Sequence, residues 1–198
     1  MEGRDAMQDA IRSTARLTYD DLVAMFPEDD GVHRELIDGE IVVTPSPANW
    51  HQTLSLRLTL ALGNHLEAHP EQGTLFVARF DVVMTPYDVV EPDLLVVLGN
   101  QQHILTDKNV QGSPGLVIEI LSPSTRRRDL TIKRQLFDRE GVREYWIVDP
   151  DGNSVAVYQR AADGSFPLAT TLSAKDAETL TTPLLPGWEL QLERLFRP

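Results

Sequence analysis

The stretch GLVIEILSPS, residues 115–124, forms the predicted centre of the fold. It is an aliphatic run bounded by Pro114 and Pro123, which predicts a short β-strand covered on both faces. Glu119 lies in the middle of this strand. Burying a carboxylate costs several kcal/mol unless a metal, a cation or a hydrogen-bond network compensates for it. The rest of the sequence must therefore supply one of these partners.

The composition predicts one compact domain. The chain has 198 residues, 41% of them hydrophobic, which suffices for a single core. It has no cysteine, and this excludes disulfides and thiolate metal sites. No apolar run approaches the roughly 20 residues of a membrane span, and the N-terminus has no signal-peptide core. We therefore expect a cytoplasmic protein with no membrane association, in which residues 1–16 are a flexible arm and 17–198 a single domain.

The charge of the chain restricts how it could meet nucleic acid. The formal net charge is −12, which disfavours tight nonspecific binding through the overall field, because that affinity comes from clustered Lys and Arg. The net charge does not exclude a nuclease, because metal sites are built from acidic residues and the bound cations change the sign of the local charge.

Periodicity and turn residues predict alternating strands and helices. Asp38-Gly39 between two apolar-bearing runs predicts a hairpin over residues 33–43. The predicted helices span residues 18–26, 49–68 and 126–140, and the further strands span 74–78, 80–84, 94–98, 145–148, 154–159 and 188–192. This order indicates one mixed α/β domain.

The longest predicted helix begins near Asn49 and carries leucines at every fourth position. Leu54, Leu58, Leu62 and Leu66 form its buried stripe. His51 projects from the same side at the helix N-terminus. It either contacts phosphate or the site around Glu119, or it is a hydrogen-bonded packing residue.

Two acidic residues lie on consecutive predicted strands. Asp93 begins an apolar strand directly after Pro92, and Glu119 follows 26 residues later. Asp93 is either a metal ligand or an ordinary strand-entry acid. Glu119 is either functional, part of a buried ion pair, or at a wet strand end.

Lys133 follows on the next predicted helix. Leu130, Lys133, Leu136 or Phe137, and Glu140 share one face by helical spacing, so Lys133 should lie on the side that packs onto the sheet. Its ammonium either points toward Glu119, extends to solvent along its stem, or pairs with Asp129 one turn earlier.

Several stretches, taken in order, resemble the PD-(D/E)xK nuclease superfamily and, within it, the Uma-type family of restriction-endonuclease-like proteins. They are Glu91-Pro92-Asp93 running into LLVV, then GLVIEILSPSTRRRD with Lys133, then GVREYWIVDPDG, with ELIDGEIV and LLPGWELQLERLF near the two ends. The resemblance extends over nearly the whole chain from about Leu17.

This resemblance implies a restriction-endonuclease-like core, with a central mixed β-sheet flanked by helices, and a Mg²⁺- or Mn²⁺-dependent endonuclease that hydrolyses phosphodiester bonds of DNA. Asp93 and Glu119 would supply carboxylate ligands and Ile120 a carbonyl ligand. Lys133 would orient the attacking water or stabilise the transition state. The superfamily pattern places its lysine at position 121, where this chain has Leu121, whereas the Uma-type pattern places it on the following helix, at Lys133.

Other residues have two interpretations each. Glu35 matches an acid of the family's ELIDG stretch, and is either a further metal or water ligand or a solvated hairpin acid. Arg126, Arg127 and Arg128 open a helix whose dipole disfavours cations, which suggests contact with DNA phosphate. A solvated basic turn explains the three arginines equally well.

Two competing functions remain at this point. The same fold could serve as a catalytically inactive module that binds protein or nucleic acid, or Glu119 and Lys133 could form a purely structural buried ion pair. The resemblance also implies a homodimer, because relatives of this type are often dimers.

Overall fold

The computed structural model describes residues 16–27, 30–44 and 49–197. The arm predicted at residues 1–16 lies outside this range except for Arg16. The Nε atom of Arg16 donates a 2.9 Å hydrogen bond to the Asp38 carbonyl, so this last residue of the predicted arm is held against the domain.

Helices and short strands alternate along the chain, as the sequence predicts. The strands are β1 (His33–Ile37), β2 (Glu40–Thr44), β3 (Gly73–Val77), β4 (Val82–Thr85), β5 (Asp88–Val90), β6 (Leu94–Leu98), β7 (Val110–Gln111), β8 (Leu116–Ile120), β9 (Glu144–Asp149), β10 (Ser154–Gln159), β11 (Thr170–Ser173), β12 (Thr179–Thr181) and β13 (Glu189–Gln191). The α-helices are α1 (Tyr19–Met25), α2 (Asn49–Ala68), α3 (Arg126–Arg128), α4 (Arg134–Arg139) and α5 (Leu192–Phe196).

A six-stranded mixed sheet in the order β11-β10-β9-β8-β6-β3 forms the centre of the molecule. Strand β8 pairs antiparallel with β6 and parallel with β9. Its five residues are all buried, which agrees with the uninterrupted apolar run in the sequence. The predicted central mixed sheet is therefore present, and Glu119 lies on one of its inner strands.

A second mixed sheet, in the order β2-β1-β5-β4-β7, was not expected. It contains the predicted hairpin, in which Ile37 pairs with Glu40. Asp38 and Gly39 both have positive φ (51° and 79°), as a tight two-residue hairpin turn requires. Strands β5 and β7 have only three and two residues, too few for periodicity to reveal them.

The central sheet is covered on both faces because its side chains alternate. Ile118 and Ile120 face one cluster, which includes the four buried leucines of α2. Val117 and Leu121 face the other cluster, together with Leu136 and Phe137 of α4. Glu119 follows this alternation and projects from the second face.

The segment that follows β8 is helical but not one regular helix. A π-helical turn, Asp129–Lys133, joins α3 to α4. The buried face of the whole helical segment contains Asp129, Lys133, Leu136 and Phe137, whereas Leu130 is 36% exposed. Placing Leu130 on the buried face was therefore wrong. The face is centred on Asp129, which lies one helical turn before Lys133.

Other differences are local. The strand expected at residues 188–192 is shortened to β13, and Leu192 begins helix α5. The strand expected at 80–84 begins at Val82. None of the helices in the described part of the chain combines the length and the apolarity that crossing a bilayer requires.

Candidate functional site

A cavity of about 560 Å³ opens where the N-terminus of α2, the start of β6 and the end of β8 meet. Ionisable side chains dominate one end of it. Five are carboxylates (Glu35, Glu91, Asp93, Glu119 and Asp129), and three carry permanent positive charge (Arg79, Arg128 and Lys133). The structure thus brings the three principal sequence candidates, Asp93, Glu119 and Lys133, to one place.

Lys133 lies between two carboxylates. Its Nζ atom donates a 2.6 Å hydrogen bond to Oε1 of Glu119 and lies 2.7 Å from Oε1 of Glu35. The residue is only 2% exposed. The expectation that the helix returns an ammonium to Glu119 is thus confirmed geometrically, whereas a solvent-directed lysine is excluded. Glu35 is also buried, so its interpretation as a solvated hairpin acid was wrong.

Asp93 is held at the start of β6, beside Glu119. The antiparallel register pairs Leu94 with Ile118, and its continuation places Asp93 opposite Glu119. Oδ2 of Asp93 accepts a 2.7 Å hydrogen bond from the Ile120 backbone N–H and lies 3.1 Å from Nε2 of His51. Both partners engage the same oxygen, which fixes the orientation of this carboxylate. His51 is therefore in contact with the site.

A second group of residues that line the cavity consists of Glu35, Arg128 and Asp129. Glu35 Oε2 and Asp129 Oδ1 are buried and, among the described residues, accept no hydrogen bond. A guanidinium nitrogen of Arg128 lies 3.7 Å from Glu35 Oε2, and another lies 4.0 Å from Asp129 Oδ1. These two carboxylate oxygens therefore have lone pairs available to accept a hydrogen bond or to bind a hard cation.

Glu91, two residues before Asp93, closes another side of the cavity. Its Oε2 atom lies 3.0 Å from Nδ1 of His33, and Nε of Arg79 donates to Nε2 of the same ring at 3.3 Å. Burial raises the pKa of Glu91 to about 7, and the nearby carboxylates of Asp81 and Glu35 add to the increase. The backbone N–H of Glu91 donates to Glu35 Oε1, which links this group to Lys133.

Electrostatics of the cluster keep Lys133 charged. Burial alone would lower the pKa of its ammonium, but the carboxylates of Glu119, Glu35 and Asp129 outweigh that effect and raise it. Burial, with the neighbouring acids, raises the pKa of Glu119 well above its ordinary value, and only Lys133 opposes this strongly. The Lys133 ammonium is therefore the main group that favours an ionised Glu119 in this cavity.

Carboxylate oxygens, the ligands that hard divalent cations prefer, line one end of the cavity. The cavity contains five carboxyl groups and three basic side chains, and a bound divalent cation would favour the ionised form of the carboxyl groups whose pKa burial raises. Among the described residues, no three or more His, Cys, Asp or Glu side chains are grouped so that they could hold a metal ion by themselves. Mg²⁺ typically needs only one or two carboxylates because it retains waters. Asp93 and Glu119 contribute two carboxylates to the cavity without a closed cage of protein ligands.

The three consecutive arginines do not act as a group. Arg126 makes a two-pronged pair with Asp149, at 3.1 and 2.7 Å, and Arg128 turns inward to Thr44 and Glu35. Arg127 is exposed. Of the three residues for which contact with DNA phosphate is predicted, Arg126 and Arg128 thus have carboxylate partners within the chain, and Arg127 is the one exposed to solvent.

Sequence reasoning did not single out Asp129, Glu91, His33 or Arg79 as site residues. Two of them had a signal, because Asp129 precedes Lys133 by one helical turn and Glu91 immediately precedes Pro92-Asp93. His33 and Arg79 had none, since β1 and the β3–β4 connection reach the cavity only through tertiary packing. Leu121 is buried in the second core cluster, and the ammonium bonded to Glu119 is that of Lys133.

Comparison with known proteins agrees with this architecture. A crystal structure described as "a putative nuclease belonging to DUF820 from Anabaena variabilis ATCC 29413" superposes with a TM-score of 0.75 at 19% sequence identity, covering 91% of this chain and 97% of the other. No curated protein matches the chain. The sequence model of the Uma2 family, described as "Putative restriction endonuclease", matches residues 18–193. The chain therefore belongs to the Uma2 family and has the nuclease-like fold that the sequence resemblance implied.

Proposed function

We propose that the chain is a divalent-metal-dependent endonuclease that hydrolyses phosphodiester bonds of DNA. One observation carries the proposal: Asp93 and Glu119 lie opposite each other at an open cavity, with the buried ammonium of Lys133 bonded to Glu119. The family to which the chain belongs and its fold support the same reaction class. DNA as the substrate rests on the family description.

Asp93, Glu119 and the Ile120 carbonyl are the groups that would hold the cation. Burial alone would lower the pKa of His51, but the hydrogen bond and the charge of Asp93, with a smaller contribution from the Ile120 backbone, outweigh that effect and raise it. When bound, Mg²⁺ makes a coordinated water more acidic and offsets negative charge on the phosphoryl oxygens. Carboxylates and a backbone carbonyl are suitable ligands for such an ion.

The remaining residues bind and position. Lys133 holds a positive charge beside Glu119, where it can stabilise charge that develops on the phosphoryl group or orient the attacking water. Glu35 fixes the Lys133 ammonium from the other side, at 2.7 Å. His51 holds Asp93 through Oδ2.

The acidic net charge makes the bound cation important for DNA affinity as well as for chemistry. The cluster carries an excess of carboxylates, which would repel a phosphate backbone. A divalent ion inverts that local sign. We therefore expect DNA binding at this cavity to require the metal.

Cleavage of supercoiled plasmid DNA tests the proposal. Wild-type protein should nick it with Mg²⁺ or Mn²⁺ and not with excess EDTA. Asp93→Asn, Glu119→Gln and Lys133→Met should each slow cleavage by roughly 100-fold or more. The exposed Asp163 does not line the cavity, so Asp163→Asn should cleave at the wild-type rate. Circular dichroism identifies variants that fail to fold.

Two results would contradict the proposal that the chain is a metal-dependent endonuclease. Cleavage that persists in EDTA, or undiminished cleavage by the folded Glu119→Gln variant, would refute a metal site at these residues. A wild-type protein that binds Mn²⁺ but cleaves neither DNA nor RNA would instead support the inactive binding module.

A further inference from the structure

Asp129 is a buried acidic residue that the proposed chemistry does not use. It begins the π-helical turn Asp129–Lys133, is only 1% exposed, and lines the cavity. Lys133 ends the same turn, and both side chains are buried. Single π-helical turns within helices recur at functional sites of proteins. This turn therefore supplies the cavity with a carboxyl group as well as with the ammonium of Lys133.

One oxygen of this carboxyl group has no hydrogen-bond partner among the described residues. Oδ1 of Asp129 is buried and accepts no hydrogen bond there. Nε of Arg128 lies 4.0 Å from it, which is beyond hydrogen-bond distance. The Arg128 guanidinium instead donates a 2.7 Å hydrogen bond to Oγ1 of Thr44. Arg128 therefore reduces the electrostatic cost of the buried carboxylate but leaves the lone pairs of Oδ1 unused.

Unsatisfied polar atoms in the described residues are confined to this cavity. Burying a polar atom without a hydrogen bond costs free energy, so each such atom in a folded protein needs an explanation. Among the described residues, three buried side-chain atoms are in this state, and all three belong to residues that line the cavity: Glu35 Oε2, Arg128 Nε and Asp129 Oδ1. Proteins break such local rules mainly at functional sites, where a ligand supplies the missing partner. The two oxygens therefore indicate a ligand that donates hydrogen bonds.

The Asp129 carboxyl group lies close to the proposed metal ligands. Burial is the main cause that raises the pKa of Glu119, and Lys133 opposes it. Among the neighbouring acids that raise this pKa further, Asp129 contributes the most, ahead of Asp93. Asp129 therefore shares the electrostatic environment of the pair Asp93 and Glu119.

We propose that Asp129 is the third carboxylate of the cation site and that its Oδ1 accepts a hydrogen bond from a water molecule of the hydrated cation. This inference rests on the proposed cation site at Asp93 and Glu119. Mg²⁺ that is bound by one or two carboxylates retains several waters, and these waters donate hydrogen bonds to surrounding groups. No three acidic or histidine side chains in the described residues are grouped to hold an ion directly, so the third carboxylate acts through water. Asp129 is thus a positioning residue.

Isothermal titration calorimetry of the full chain with Mn²⁺ tests this role. Asp129→Asn should bind Mn²⁺ about 10-fold or more weakly than the wild-type protein, because losing an outer contact to a metal typically costs about 10–100-fold in affinity. Asp163 is exposed and lies outside the cavity. Asp163→Asn removes the same charge and should change the affinity by less than about 2-fold, since solvent and salt screen an exposed group. Glu119→Gln should abolish binding, which identifies the site that is titrated.

Thermal unfolding in EDTA separates this role from a structural one. Asparagine has the size of aspartate, and the substitution removes a buried charge whose Oδ1 has no hydrogen-bond partner in the described part of the chain. The metal-free Asp129→Asn protein should therefore unfold at the wild-type temperature or above it. A midpoint that falls by more than about 5 °C would overturn the proposal, because it would show that Asp129 holds the fold together.

The titrations distinguish failure of this inference from failure of the cation site. Equal Mn²⁺ affinity of wild-type protein and Asp129→Asn, together with no binding by Glu119→Gln, would overturn the role of Asp129 and leave the site at Asp93 and Glu119 intact. Oδ1 would then be hydrated by ordinary solvent. A wild-type protein that binds no Mn²⁺ at millimolar concentration would overturn both.

Discussion

Replacing Lys133 with methionine should destabilise the protein strongly. The substitution keeps most of the side-chain length but removes the ammonium that lies 2.6 Å from Glu119 and 2.7 Å from Glu35. All three residues are buried, so two carboxylates would lose their shared cation without gaining water. Removing one partner of a buried ion pair typically costs about 3–5 kcal/mol.

The lower end of that range is the expected value. The pKa of Glu119 is already raised by burial, so this carboxyl can take up a proton when the ammonium is lost. We therefore expect the free energy of unfolding to fall by about 3 kcal/mol at neutral pH. Domains typically have about 5–15 kcal/mol of stability, so the variant should still fold. The loss should shrink at acid pH, where both carboxyls are protonated.

Urea denaturation followed by circular dichroism measures this loss. Lys175 is exposed, so Lys175→Met is the matched control and should change stability by less than about 0.5 kcal/mol. Adding Glu119→Gln to Lys133→Met should recover part of the loss, because one unpaired carboxylate disappears. A cost below about 1 kcal/mol for Lys133→Met would refute a buried, charged Lys133 between two carboxylates.

Two further predictions concern pH and the surface. The pKa of Glu91 is about 7 in the folded protein and near 4.5 when unfolded, so the folded state binds the extra proton between these values and stability falls as pH rises through this window. Glu91→Gln should flatten this decline in urea titrations at several pH values; an unchanged slope would show that another group causes it. Arg126→Ala breaks an exposed pair with Asp149 and should cost less than about 1 kcal/mol and leave plasmid cleavage unchanged. A large loss of cleavage would return Arg126 to the DNA-binding surface.

The geometry around Glu119 could largely be predicted from the sequence because it depends on local periodicity. Glu119 is the one acid in an aliphatic strand, and Lys133 lies on the buried face of the helix that follows. This pattern predicts that the two side chains meet. The continuous strand pairing then brings Asp93 opposite Glu119. The superfamily pattern expects a lysine at position 121, where this chain has Leu121. The resemblance to the Uma-type family indicated that Lys133, on the following helix, corresponds to that lysine, and the spacing of the two residues alone leaves this open.

The rest depended on tertiary packing. Strands β5 and β7 exist because they pair within the second sheet, and two or three residues carry no periodic signal of their own. Nothing in the sequence indicates that Arg126 pairs with Asp149, which lies 23 residues later at the end of β9. Leu130 was assigned to the wrong face because the buried face of the interrupted helix is centred on Asp129.

The central claim is that Asp93 and Glu119 together hold a divalent cation. Crystals of the wild-type protein soaked in Mn²⁺ test it most directly, because manganese gives an anomalous signal that locates the ion. The account predicts a peak between the carboxylates of Asp93 and Glu119, and no such peak in crystals of Glu119→Gln. A peak elsewhere, or none in wild-type crystals at saturating Mn²⁺, would contradict it.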